Sequence, residues 1–338
     1  MNERNVPGML LVGDVGATKT DLAVMDPGRG PGAPIVARTF QSAGYASIEA
    51  LLKTFLSQVN LPVVAVILGV AGPVSDGQSR ITNLPWIMDE REIAATLGLR
   101  SVRLLNDLEA LAYAVPSLGD KDIEKLNAGD PRAEGNRAII APGTGLGQAF
   151  LIRGDNRYFP IASEGGHTDF APGDEMEAEL LSYLRGFHDH VSYERVCSGI
   201  GIPNIYAFLL SSGYGEEPRW LKEELSSAAD PTVVIVDAAM AKDRPCELTV
   251  LTLNMFVSIL GAAAGNIALQ VLSTGGVYLA GGIPPRILPY LTGGLFMERF
   301  LRKGRMSGLV SGMPVHVIVR PGCTLLGAAL CGLQTKID

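Results

Sequence analysis

Excess positive charge is missing from this chain, and so is any pairing of its cysteines. Lys and Arg number 28 against 35 Asp and Glu, for a net charge of −7 and a pI near 5.2. A nucleic-acid binder normally carries a basic stripe that displaces counterions from the phosphate backbone, so no nucleic-acid partner is expected. A phosphate-bearing small molecule stays open, because a few backbone N–H groups and one metal ion suffice to hold it. The four cysteines, Cys197, Cys246, Cys323 and Cys331, form no CxxC or CxxxC pair. They read as small buried hydrophobes in a reducing compartment, which implies a cytoplasmic location. Nor does any Lys-Ser or Lys-Thr close a Gly-rich turn with the spacing of a Walker A loop.

A secretory signal is also lacking. Arg4 precedes only the short apolar run Met9 to Val12, and Asp14 interrupts it. No charged residue occurs from Leu248 to Pro285, a stretch long enough to span a bilayer. Yet it contains Asn254, Asn266 and Gln270, breaks at Ser273-Thr274-Gly275-Gly276 and at Gly281-Gly282, and has only Phe256 and Tyr278 as aromatics. Without an aromatic belt, the expectation is a buried helix over about 250–272 followed by a buried strand at Val277 to Ala280, and no membrane partner.

What the chain does have is length and apolar residues: 338 residues, 47% of them hydrophobic, enough for two or three domains. The 40 Gly and 21 Pro are dispersed as turn punctuation. Leu10 to Val12 and Leu22 to Met25 read as strands around Gly13 to Thr18. Ile48, Leu51, Leu52 and Phe55 have helical spacing, and Val63 to Val70 suits a central strand buried on both faces. A short helix is expected around Ile93 to Leu97. Val102 to Leu105 reads as a strand passing through Asn106-Asp107 into a helix with Leu108, Leu111 and Ala112. The polar stretch from Gly119 to Asn136 is the candidate domain boundary. Beyond it, Ala138 to Ile140 and Ala149 to Ile152 flank Pro142 to Gly147, again strand, Gly-rich turn, strand. Helices are expected at Met176 to Leu184, Tyr193 to Val196 and Ile202 to Leu210, with a charged surface segment over 212–230. Pro284 and Pro285 suit the first turn of a further helix. Strand Val315 to Val319 and helix Thr324 to Leu333 close the chain. Each half thus opens with a hairpin whose turn can approach a phosphate, which implies a duplicated α/β fold with a cleft between its halves.

The two turns, Gly13 to Thr18 and Gly143 to Gly147, offer concave backbone N–H groups, with Thr18 and Thr144 adding hydroxyls. Each alone could be an ordinary hairpin turn. Asp14 is more pointed, because a carboxylate in a phosphate-binding turn repels phosphate unless a cation lies between, so Asp14 reads as a Mg²⁺ partner through water. Lys19 reads as solvent-facing or edge-lying. Asn106-Asp107 has two readings, a helix N-cap or a general base in which Asp107 accepts the proton of an attacking hydroxyl. In Ser163-Glu164-Gly165-Gly166-His167-Thr168-Asp169-Phe170, two glycines let Glu164 and His167 converge on vicinal hydroxyls, with a metal site as the rival. Glu194, after Ser192, could serve a helix N-terminus capped by that serine. His188 and His190 read as helix-end surface residues rather than metal ligands.

Eight segments in order then resemble one family: LVGDVGATKTDLAV, ITNLPW, LLNDLEALAYAVP, APGTGLGQAFL, SEGGHTDFAP, HVSYERVCSGIGIPNIY, GGVYLAGGIPPR and PGCTLLGAA. Together they are similar to the bacterial glucokinases of the hexokinase–actin ATPase superfamily, from Leu11 to about Leu333. The resemblance implies an α/β, two-domain actin-like, ribonuclease H-like ATPase fold with an interdomain cleft. Residues 1–117 with about 322–338 would form a discontinuous small domain, and about 118–321 the large one. It implies ATP-dependent phosphorylation of glucose to glucose 6-phosphate, with Mg²⁺. Gly13, Asp14, Val15, Gly16, Ala17, Thr18, Gly143, Thr144 and Gly145 would hold the ATP phosphates, and Gly281 and Gly282 would lie near adenosine. Asn83, Asn106, Asp107, Glu164, His167 and Glu194 would bind glucose, with Asp107 as base, in a homodimer. Ala17 and Lys19 depart from the family's usual Gly and Asn. The alternatives are a kinase for fructose or mannose, a sugar-binding sensor without catalysis, and an actin-like ATPase that needs no sugar.

Overall fold

The computed structural model describes residues 8–81, 84–130, 134–155, 157–241 and 243–334. Asn83, expected near the sugar, lies outside them. The chain divides into two compact units, residues 1–119 with 320–338, and residues 120–319.

The first unit is built on β1 (Met9–Val15), β2 (Lys19–Met25), β3 (Pro34–Gln41), β4 (Val63–Val70) and, after a small three-stranded sheet of β5 (Val74–Ser75), β6 (Gln78–Arg80) and β7 (Ile87–Asp89), β8 (Ser101–Asn106). The main sheet runs β3-β2-β1-β4-β8, antiparallel across the first three strands and parallel from β1 to β8. The parallel part is buried on both faces, which is why β4 is a continuous apolar run. Helix α1 (Ile48–Val59) starts where the Ser47 hydroxyl accepts from Ala50 N at 3.3 Å and ends at left-handed Asn60. Its Ile48, Leu51, Leu52 and Phe55 are fully buried in one core with Trp86. Asp89 caps α2 (Glu90–Leu97), which Gly98 ends. Helix α3 (Asp107–Ala114) follows β8 without a break.

The second unit repeats the plan. Strands β9 (Ile123–Asn127), β10 (Arg137–Pro142), β11 (Leu146–Arg153), β12 (Tyr158–Ser163), β13 (Val277–Leu279) and β14 (Val315–Ile318) form one sheet in the order β12-β11-β10-β13-β14-β9. Once more a hairpin leads into parallel strands, β10, β13 and β14. The segment 119–136, read as a polar boundary, contributes β9, an edge strand paired antiparallel with β14. Helices α4 (Glu175–Leu184), α5 (Gly201–Ser211), α6 (Arg219–Ser227), α7 (Pro231–Met240) and α8 (Glu247–Gln270) lie between β12 and β13. The charged stretch 212–230 is therefore partly helical, since α6 buries Leu221 and turns its charges outward. Tyr193–Arg195 forms a single 3₁₀ turn, shorter than the helix expected there. The long apolar stretch is α8, and 78% of its most apolar window is buried within the protein. Short helices α9 (Ile283–Arg286), with both prolines in its first turn, α10 (Leu288–Thr292), α11 (Leu295–Leu301) and α12 (Ser307–Ser311) lead to β14.

The final helix, α13 (Cys323–Gln334), belongs to the first unit and packs on α3. A side chain at Gly327 would overlap the Ala110 carbonyl, so its glycine sets how closely the two helices approach.

Candidate active site

In the first unit the three parallel strands end side by side, with Val15 opposite Val70 and Val70 opposite Asn106. Ligands of open α/β sheets gather at this carboxyl edge. Asp14 sits in β1, opposite Gly69 of β4. A Cβ at Gly69 would come within 2.7 Å of Thr324 Cγ2 and 3.6 Å of the Asp107 Cα, so this bare position admits both residues. The Thr324 hydroxyl hydrogen-bonds the Asp14 carboxylate. Sequence reasoning missed Thr324, although it lies in the PGCTLLGAA segment.

The Asp14 carboxyl is pushed up from 3.8 to about 6. Burial is the largest cause, then the negative charge of Asp107, then that of Asp21, while Lys19 and Thr324 oppose the rise. Two acids thus meet at one sheet edge. This donor set suits a divalent cation, which would relieve both the burial of charge and the repulsion. The native carboxyl holds its proton up to about pH 6, whereas the unfolded one releases it near 3.8. The native state therefore binds the extra proton between those values, and stability falls as pH rises through that window. Asp14→Asn is expected to raise the melting temperature of ligand-free protein above pH 6, on the order of 2 kcal/mol, with the gain shrinking toward pH 4. Melts across that range check it, and a gain that did not vary with pH would show that the charge on Asp14 is not its source.

The turn after β1 is tighter than expected. The antiparallel ladder continues through Val15 opposite Thr20, so Gly13, Asp14 and Val15 are strand residues and only Gly16, Ala17 and Thr18 form the turn. Gly13 serves packing, since a Cβ there would meet Leu68 and Leu22 side chains at 2.6 and 2.8 Å. Gly16 N donates to Lys19 O at 3.0 Å, and the Ser42 hydroxyl donates to Gly16 O at 2.7 Å, clamping the turn from β3's end. Lys19 is 65% exposed and pairs with Asp21 at 3.2 Å.

Of the two readings of Asn106-Asp107, the helix cap falls to Asn106. Its Oδ1 accepts from Leu108 N at 3.0 Å and Glu109 N at 3.3 Å, and its Nδ2 donates to Gly72 O at 3.1 Å. Asp107 is the first helical residue, half-buried, with Oδ1 accepting from Leu108 N at 2.8 Å.

In the second unit, Gly143, Thr144 and Gly145 join β10 to β11, with Gly143 N donating to Gly145 O at 2.9 Å. Gly199 N donates to Gly143 O at 2.7 Å, and the Thr232 hydroxyl to Gly199 O at 2.6 Å, so the turn rests on the loop before α5. Gly281 has φ +84°, and a side chain there would come within 2.6 Å of the Pro142 carbonyl. The glycine lets the 281–282 loop lie against the end of β10, beside the 143–145 turn.

Glu194 belongs to the same cluster. Its Oε2 accepts from Leu146 N at 3.0 Å, and a side chain at Gly145 would run into it. Ser192 makes no cap hydrogen bond, so the helix-capping reading of Ser192 and Glu194 is replaced by a tie to the start of β11. Residues Gly165–His167 form a 3₁₀ turn that packs on β11. A Cβ on Gly166 would overlap Leu146 O, and one on Gly165 would overlap Gln148 Oε1. The two glycines therefore hold exposed Glu164 and His167 near the same Leu146. Asp169 is turned elsewhere, to His190 Nε2 at 2.9 Å. Among the described residues, no group of three or more His, Cys, Asp or Glu side chains is placed to hold a metal ion.

Two Gly-rich turns, a carboxylate at a strand end and an acidic, histidine-bearing turn are chemistry for a phosphorylated donor and a hydroxyl-rich acceptor. The glucokinase family model matches residues 11–335. A glucokinase of Nostoc punctiforme is 39% identical over 341 residues, covering 96% of this chain and 99% of its own. The crystal structure of a glucokinase from an Antarctic psychrotroph superposes with a TM-score of 0.82 at 33% identity, over 96% of this chain and 98% of that one. A Balamuthia mandrillaris glucokinase in complex with glucose shares the fold at TM-score 0.78 and 21% identity, over 97% and 94%. The fold is the α/β actin-like ATPase fold of these sugar kinases, and with nearly its whole length matched, the chain belongs to the glucokinase family.

Proposed function

We propose that this protein transfers the γ-phosphate of ATP to the 6-hydroxyl of glucose, giving glucose 6-phosphate and ADP. The carrying observation is the pair of acids at the carboxyl edge of the first sheet, Asp14 raised to about 6 beside Asp107 at the start of α3. One can face a cation and the other a hydroxyl.

In this reading Asp107 accepts the proton of the 6-hydroxyl as its oxygen attacks the γ-phosphorus. Asn106 keeps Asp107 at the helix start, and its amide has a second hydrogen for a sugar hydroxyl. Glu164 and Glu194 accept from sugar hydroxyls, and His167 donates or accepts. Glu194 is already aimed by its bond from Leu146 N. The turns Gly16–Thr18 and Gly143–Gly145 hold phosphates through the N–H groups of Ala17, Thr18, Thr144 and Gly145, and Gly281-Gly282 lies by the adenosine. Asp14, helped by Thr324, would hold Mg²⁺ through water. That ion would neutralise charge developing on the phosphates.

Glucose phosphorylation would put the enzyme at the entry of glycolysis in the cytoplasm. Four cysteines, all buried and none in a disulfide, support a reducing compartment. The net charge of −7 speaks against a nucleic-acid partner, and a homodimer is the assembly we propose from the family. The test is ADP release by purified protein with MgATP, without sugar and with glucose, fructose, mannose or N-acetylglucosamine. Glucose alone is expected to stimulate strongly. Stimulation by another hexose would overturn the substrate, and release independent of sugar would indicate an ATPase. Glucose binding without release would indicate a sensor.

A further inference from the structure

Against the turns that carry Glu164, His167 and Glu194, the second unit has a partly open cleft of about 170 Å³, more than a single water needs. Its lining includes Gln148 and Phe150 of β11, Thr168, Tyr193, and Asn266 and Gln270 from the end of α8. No charged side chain lines it.

Two polar groups facing it are incompletely used. Gln148 is only 4% exposed, yet its amide makes no hydrogen bond to the protein among the described residues. An amide that makes no bond to the protein and faces a cleft is available to whatever occupies that cleft. Tyr193 is 6% exposed, and its oxygen accepts from Asn266 Nδ2 at 2.9 Å. The direction of the Asn266 bond is set by Lys303, an ammonium that can only donate and lies 2.6 Å from Asn266 Oδ1. Asn266 must therefore give its N–H to Tyr193. Because Tyr193 accepts in that bond, its own O–H stays available for a partner in the cleft.

An occupant must then accept from Tyr193, exchange donor and acceptor roles with Gln148, and rest against Phe150. An anion finds no cation here, which excludes a sugar phosphate. Hydroxyl groups on a compact carbon frame meet all three demands. We propose that this cleft is a second binding site, separate from the residues assigned to glucose, for a small uncharged polyhydroxylated molecule. It lies under both turns of the sugar cluster, through Gly165 and Tyr193.

The test uses myo-inositol, a cyclic polyol with no primary hydroxyl to phosphorylate. Saturation-transfer NMR and calorimetry on the full-length protein would follow its binding with glucose present at saturation, so the reading of the sugar site and this one fail separately. Binding is expected to persist under saturating glucose, to weaken about threefold to tenfold in Tyr193→Phe, and to vanish in Gln270→Trp, which plugs the rim. Three results would overturn the site: no transfer to inositol up to its solubility, with water alone filling the cleft; loss of binding when glucose is added; or unchanged binding in Tyr193→Phe. The last keeps the proposal testable even where the tryptophan variant fails to fold.

Discussion

Asp107→Asn is expected to lower turnover by about 10²-fold or more while leaving glucose binding close to normal. The change is nearly isosteric. Its amide oxygen can still accept from Leu108 N, as Asp107 Oδ1 does at 2.8 Å, and the start of α3 stays capped by Asn106. What disappears is a group able to take a proton. Removing that charge also removes a cause that lifts the Asp14 carboxyl to about 6. The carboxyl of Asp14 should therefore titrate lower in the variant, which carbon-13 NMR of labelled aspartate can follow independently of turnover. Near-normal kcat would remove Asp107 from proton transfer. An unmoved Asp14 titration would show that the charge of Asp107 does not act on Asp14.

Gly166→Ala should be the most damaging single methyl on the sugar side. The added carbon would overlap the Leu146 carbonyl, which is backbone of β11 and has no flexible end to swing away. The turn holding Glu164 and His167 must lift from the strand, and displacement of positioning groups by about an ångström costs on the order of 10²-fold. The loss should appear in kcat/KM for glucose, with the affinity for MgATP unchanged. Gly308→Ala is the control, because a Cβ there meets nothing within 4 Å. A Gly166→Ala enzyme with normal kcat/KM for glucose would show that the turn does not orient the sugar.

Much of the architecture was legible because burial on one or both faces leaves a period in the sequence. Helix α1 shows it in Ile48, Leu51, Leu52 and Phe55, β4 in its unbroken apolar run, and α8 in 24 residues whose only charge is Glu247. In the two main sheets, the strands that escaped notice are edges. In β3 most residues are exposed, and β12 has Phe159 and Ile161 exposed at 42% and 49%. Such strands are specified by the neighbour that pairs with them, so no local pattern announces them. The polar run holding β9 was obscure for the same reason.

The site divides along a similar line. Residue types and order alone determined the family, the two Gly-rich turns, the acid after β8 and the Glu–Gly–Gly–His turn, because those chemistries need particular side chains at short spacing. Which atoms serve which role was decided by tertiary packing. The ladder claims Gly13–Val15 and shortens the first turn, and Asn106 rather than Asp107 takes the cap. Glu194 reaches an N–H 48 residues before it, at Leu146. Asp14 acquires its unusual proton affinity from burial and from Asp107, and a hydrogen bond from Thr324 at the far end of the chain. Hydrogen bonds and Coulomb interactions act through space over a few ångströms, and only the folded chain brings residues so distant in sequence to that range.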